Sequence, residues 1–198
     1  MSEDIKIMAD PKSANSCQFT VDRPVYPDRS FYFGSKESAE GSPLAERLFA
    51  IPGVSGLLIS HDRVTVNKSG PEDWLPTAKQ IGAAIRAHVA TGQPAVSEEL
   101  RKRIPPAEEM RRRVQEVLDT RINPAVAAHG GHVGLIDVNE NVVYLQLGGG
   151  CQGCGMADVT LKQGIEVEIR AAVPEVGEIL DTTDHAAGRN PYYTPSAK

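Results

Sequence analysis

Aromatic residues are scarce in this chain, at 5% with a single tryptophan, so its core must be built from aliphatic side chains. Cysteine is scarcer still. Three cysteines in 198 residues, unevenly placed, are too few for the disulfide framework of a small secreted domain. An excess of basic charge is missing too: 21 Lys and Arg stand against 26 Asp and Glu, for a net charge of −5. That balance argues against a nucleic acid partner. No apolar run is long enough to cross a bilayer, so no membrane partner is expected. The first residues, Met1-Ser2-Glu3-Asp4, are acidic where a targeting signal would be basic. These absences together predict a soluble, cytoplasmic protein in a reducing compartment.

The hydrophobic residues that are present divide the chain in two. Gly92-Gln93-Pro94 and Pro105-Pro106 bracket a polar, charged stretch that reads as a linker over 93–106, with a short helix near Ser97–Arg103. The expectation is an α+β protein with a first domain over 10–92, a second over 107–185 and a tail over 186–198. In the first domain, Cys17, Phe19 and Val21 alternate with polar residues as a strand would, and Phe31-Tyr32-Phe33 suggests its neighbour. Ser42-Pro43 opens a helix carrying Leu44, Leu48 and Phe49. Val54–Ser60 and Val64–Asn67 read as a hairpin around His61-Asp62-Arg63. A longer helix, about Glu72 to Thr91, presents Trp74, Ala78, Ile81, Ile85 and Val89 and ends at Gly92.

The second domain is expected as a three-stranded sheet with two helices. Met110, Val114, Val117, Leu118 and Ile122 mark the first helix, which Pro124 kinks or restarts. Val133–Val138, Val142–Leu147 and Val176–Leu180 read as strands. The second helix runs from about Ala157 to Ala172 and carries Val159, Ile165 and Ile169, with Leu161 flanking. Arg101-Lys102-Arg103 and Arg111-Arg112-Arg113 alternate with glutamates and read as solvated helix faces.

The chemistry is concentrated between the second strand and the second helix of that domain, in Gly148-Gly149-Gly150-Cys151-Gln152-Gly153-Cys154-Gly155. Thiolate is the form that binds metal, and a helix starting just after Cys154 would favour it through its positive end. The glycines let the backbone take φ > 0 and approach an inorganic core closely. Iron–sulfur clusters are usually held by four thiolates, so two per chain point to a second copy or a partner. The motif alone leaves other readings open: a thioredoxin-like redox pair, half a zinc site, or two inert thiols. A plain interaction module, with no role for the thiols, is a further class. Cys17, far off in a strand, reads as a small half-buried apolar residue. His129 and His132 flank Gly130-Gly131 and read as turn or solvent residues rather than ligands.

Longer stretches carry a resemblance. Ile122-Asn123-Pro124-Ala125-Val126-Ala127-Ala128-His129-Gly130-Gly131, the run Gly149 to Glu166 and Val173-Pro174-Glu175-Val176 resemble the C-terminal NifU-type domain. Ser42-Pro43-Leu44-Ala45, Ile51-Pro52-Gly53-Val54, Val64-Thr65-Val66-Asn67-Lys68 and Asp73-Trp74 resemble, more loosely, the N-terminal domain of Nfu proteins. His129 departs from the Asp that many relatives place before the paired glycines. The resemblance implies a bacterial-type iron–sulfur carrier or scaffold rather than an enzyme. It would receive a [4Fe–4S] cluster from the assembly machinery and pass it to apo-proteins. Cluster ligands map onto Cys151 and Cys154, shared across a homodimer, and the same thiolates would serve a [2Fe–2S] cluster equally.

Overall fold

The computed structural model describes residues 4–70, 73–149 and 155–183, the side chains of Asp28 and of residues 155–160 excepted. The chain is α+β, and it divides into two compact units, Met1–Ile104 and Pro105–Lys198.

The first unit holds strands β1 (Ile7–Ser13), β2 (Ser16–Val21), β3 (Tyr26–Phe33), β4 (Val54–His61) and β5 (Arg63–Lys68). They form one sheet in the order β1-β2-β5-β4-β3, with every neighbouring pair antiparallel. Cys17, Phe19 and Val21 do alternate, and all three are buried. Cys17 pairs with Val66 and Phe19 with Val64, so the buried faces of β2 and β5 coincide. Leu57 and Ile59 continue that face on β4. Two helices cover it, α1 (Pro43–Phe49) over β4 and α2 (Trp74–Val89) over β1 and β2. The expected neighbour of β2, the Phe31-Tyr32-Phe33 strand, is instead at the far edge against β4. The β2 strand pairs with β5, some forty residues on, because sheet order follows shared buried faces and not sequence proximity.

Two parts of this unit lie outside the expected 10–92 boundaries. At the start, Ile5 is buried and β1 begins at Ile7; the Arg86 guanidinium on α2 donates to the Ile5 carbonyl at 3.0 Å. At the end, the segment expected as a linker packs in part: Ala95 and Val96 are each 1% exposed in the first unit's core. Proline's fixed φ lowers the entropy lost in ordering so short a stretch, and Pro94 immediately precedes the buried pair. Ser42 sits at the N-cap of α1 but does not cap it; its hydroxyl accepts from the Ser97 amide at 3.1 Å. Ser97 in turn caps the short helix α3 (Glu98–Lys102), its hydroxyl accepting from the Leu100 amide at 3.3 Å.

In the second unit α4 (Ala107–Val117) runs into a π-helical turn, Leu118–Ile122, and then α5 (Asn123–Ala127). Pro124 explains the widened turn. It has no amide to offer the carbonyl four residues back, and its ring crowds that carbonyl, so the ladder opens there. Strands β6 (Gly131–Asn139) and β7 (Val142–Gly149) form an antiparallel hairpin, followed by α6 (Gly155–Ala172) and β8 (Ile179–Asp181). The β8 strand lies parallel to β7, giving the sheet order β6-β7-β8. It starts later than the apolar run Val176–Leu180 suggests: Val176 is buried, but it lies in a turn, its amide donating to the Val173 carbonyl at 3.1 Å. Met110, Val114 and Leu118 pack with Val133, Val143, Ile165 and Ile169 as the aliphatic core.

The solvated reading of the arginine cluster on α4 needs correction. Arg111 pairs with Asp137 on β6, and Arg113 bonds Glu175 and the Ala172 carbonyl, each at 3.2 Å. These two hold α4 to the sheet and to the end of α6, while Arg112 stays at the surface near Glu116. The expected tail over 186–198 lies outside the described residues, and so does the side chain of Val159. Among the described residues no helix is long and apolar enough to cross a membrane.

Candidate metal centre

Cys151 and Cys154 lie outside the described residues, together with Gly150, Gln152 and Gly153. The structure describes the frame from which that loop departs and to which it returns. The last residue of β7 is Gly149 and the first of α6 is Gly155, so the motif joins a strand to a helix as the sequence suggests.

That frame is built from backbone. In the β6–β7 hairpin Gly131 faces Gly149 and His132 faces Gly148. Gly149 has φ +65, and a Cβ there would stand 2.2 Å from the Gly130 carbonyl oxygen. No side chain fits that gap, so the glycine is required by both its dihedral and its neighbour. Gly130 itself has φ +71, which turns the chain out of α5 and into β6. The glycine runs therefore act on each other: one pair makes the close approach that the other needs.

Two sets of hydrogen bonds fix this corner. Asn123, just before Pro124, reaches across to β6. Its side-chain amide donates to the Val133 carbonyl at 3.0 Å, and its oxygen accepts from the Val133 amide at 2.8 Å. The carboxamide thus imitates a strand partner for Val133 and ties α5 to the start of β6. On the other side of β7, Thr183 accepts from the Leu147 amide at 2.7 Å, and Thr182 bonds the Leu145 carbonyl through both its amide and its hydroxyl. These contacts continue the pairing beyond β8 toward the end of β7. Sequence reasoning noted Pro124 and passed over Asn123; a short polar side chain next to a helix-breaking proline was the available signal.

The remaining chemistry-bearing residues are placed as follows. His129 and His132 are both exposed, in keeping with a turn or solvent role. Cys17 belongs to the first unit's core at 0% exposure, more deeply buried than expected, and burial pushes its thiol pKa up. A protonated, enclosed thiol is a poor metal ligand. Among the described residues no group of three or more His, Cys, Asp or Glu side chains is gathered to hold a metal ion. In the first unit His88 on α2, which the sequence reading did not single out, is buried at 1% exposure. Desolvation, helped by Arg47, lowers its pKa.

Comparison with known proteins agrees with this division. The NifU-like domain family matches residues 114–180, and the family described as scaffold protein Nfu/NifU N terminal matches residues 5–92. The chain is 54% identical over 85 residues to the Fe/S biogenesis protein NfuA of Stutzerimonas stutzeri, a match covering 42% of this chain and 44% of that protein. It is 56% identical over 81 residues to the protein of the same name from Stenotrophomonas maltophilia, covering 40% and 41% respectively. The matched region thus spans less than half the length of these relatives. A solution structure of a NifU-like protein from Saccharomyces cerevisiae is 22% identical, covering 50% of this chain and 91% of its own, with a TM-score of 0.45. With an Nfu-type N-terminal domain followed by a NifU-like domain around its only Cys-x-x-Cys, the chain belongs to the Nfu/NifU-like family.

Proposed function

We propose that this protein is an iron–sulfur cluster carrier, in which Cys151 and Cys154 of two copies hold one [4Fe–4S] cluster as cargo for apo-protein recipients. The observation that supports it most is the placing of the sole Cys-x-x-Cys between Gly149 and Gly155 of a domain that matches the NifU-like family. The relatives' name, Fe/S biogenesis protein, is in keeping with that reading.

The mechanism follows from ligand count. One chain brings two thiolates where a cluster takes four. Cluster binding and association of two chains then form a single equilibrium, and neither half can complete the coordination. Such a cluster is transferable, because a recipient's thiolates can replace one chain's pair and then the other's. The carrier makes and breaks no bond at carbon or phosphorus, so its role is delivery, not catalysis. The same two thiolates per chain would also serve a [2Fe–2S] cluster in a dimer. The assembly machinery would act as donor, and a cytoplasmic location follows from this role. Nothing in the comparisons favours the thioredoxin-like reading.

Single substitutions test the assignment. Cys151→Ser or Cys154→Ser abolishes stable loading on anaerobic reconstitution while leaving thermal unfolding unchanged, because the motif lies between β7 and α6 and within neither. Retention of a full cluster by either variant would refute the ligand assignment.

A further inference from the structure

Within the second unit, an apolar groove of about 1020 Å³ lies between α6 and the stretch that runs from the π-helical turn into α5. Ile122, Val126 and Ile165 are its buried residues. Leu161 is half-buried beside them, and Val167 stands at 65% exposure. Among the described residues no other large hydrophobic side chain of this unit is so exposed. A lone exposed valine is ordinary, but one continuous with an apolar groove belongs to the kind of patch that marks a protein contact.

The groove adjoins the cysteine motif along both walls. On one side α6 begins at Gly155, directly after Cys154, and Leu161 follows about 9 Å along the helix at 1.5 Å per residue. On the other side α5 leads to Gly130, whose carbonyl lies against Gly149 at the end of β7. A protein that shares a cluster held by this motif comes close to the groove.

The charges at the groove say which protein. Arg121 from the π-helical turn and Glu168 from α6 both line it and meet at 3.7 Å, their side chains 58% and 51% exposed. A two-fold contact sets the same patch of each copy against the other. A patch of one sign would repel its own copy, whereas one arginine and one glutamate complement themselves.

We propose that a second copy of this chain covers the groove. The proposal rests on the shared-cluster reading and deepens it, by naming the protein surface that joins the copies beside the thiolates. Val167 of each copy packs against the groove of the other, and Arg121 of each faces Glu168 of the other. The two-fold axis passes through the cluster and runs along α6, the direction that keeps both helix starts at the cluster and both grooves face to face. The contact is one helix and one turn wide, short of a standard interface of about 1,600 Å². It therefore acts together with the cluster and does not replace it.

The test uses the full chain, loaded anaerobically and followed by sedimentation over a dilution series. Val167→Glu changes an exposed residue, so thermal unfolding of the iron-free protein should be unchanged. The loaded dimer should weaken about 100-fold, tenfold for each of the two copies. Arg121→Glu and Glu168→Arg should each weaken it as well, because each sets like charges across the contact. Mixed together, the two charge variants should form a loaded heterodimer of near wild-type strength. Their internal ion pairs stay broken in the mixture, so that rescue reports only on the contact between copies. Wild-type dimer strength in all three variants overturns the groove contact and leaves cluster sharing standing. Wild-type dimers of Val167→Glu that no longer pass the cluster to an apo-ferredoxin give the groove to the recipient, and overturn it equally. A wild-type chain that takes up no iron, or carries a whole cluster as a monomer, removes the shared-cluster reading and this contact with it.

Discussion

The two units treat cysteine in opposite ways. In the first, Cys17 is an interior residue of a paired strand, facing Val66 and closed off from solvent. In the second, Cys151 and Cys154 follow the end of a strand and precede a helix, at a joint whose approach is set by glycine backbone. A thiol in a strand interior gains packing and loses reactivity. A thiol just ahead of a helix start gains the positive end of that helix, which favours the thiolate. What distinguishes a structural cysteine from a candidate ligand here is its place in the fold, which the residue type alone does not reveal.

The contrast breaks most readily at Gly149. Gly149→Ala forces a Cβ to within 2.2 Å of the Gly130 carbonyl oxygen at a φ of +65. It should destabilise the second unit by at least about 2 kcal/mol and abolish cluster loading. Thermal unfolding and iron uptake measure the two effects, and wild-type behaviour in both would remove the glycine frame from the account. Asn123→Ala comes next. It leaves the Val133 amide and carbonyl without the partners they now have, at a cost of about 1–3 kcal/mol in denaturant unfolding. Loading should weaken with it, because the corner below the loop loosens.

Cys17→Ser sharpens the comparison from the other side. A hydroxyl in an apolar, fully buried position should lower the first unit's stability by about 1–2 kcal/mol. Cluster loading should be untouched, and loss of the cluster would make Cys17 a ligand after all. His88 adds a pH dependence to the same unit. Its folded pKa is depressed by burial, so the unfolded chain holds more protons across the interval just below the ordinary histidine value of about 6.5. Stability should therefore be full above that value and decline as pH falls through it, and His88→Gln should flatten the decline. The smallest effect is Gly164→Ala on α6. A Cβ there meets nothing within 4 Å, so the exchange should stabilise the helix by about 0.5–1 kcal/mol without altering loading.

The difference between the units also decides how far the sequence could be read. Local patterns were legible: the alternation at Cys17, Phe19 and Val21, the hairpin at His61, the break at Pro124 and the strand-to-helix position of the cysteine motif all correspond to observed elements. Pairing across distance was not. Nothing in the periodicity of β2 says that its partner is β5, because alternation reports which face is buried and not which strand lies alongside. The β1 strand escaped notice because all but its first residue are exposed and it contains Pro11, so an edge strand reads as a polar tail. Ala95 and Val96 were hidden by the polar residues and prolines around them. His88 and Asn123 escaped for a related reason, since a lone polar residue on or beside a helix does not announce what it faces.

The most direct measurement concerns ligand sharing. Anaerobically reconstituted protein should elute as a dimer with one four-iron cluster between two chains, about two irons and two sulfides per chain, as iron and acid-labile sulfide analysis alongside Mössbauer spectroscopy would report. A monomer holding four irons, or a chain that takes up no iron, would contradict it.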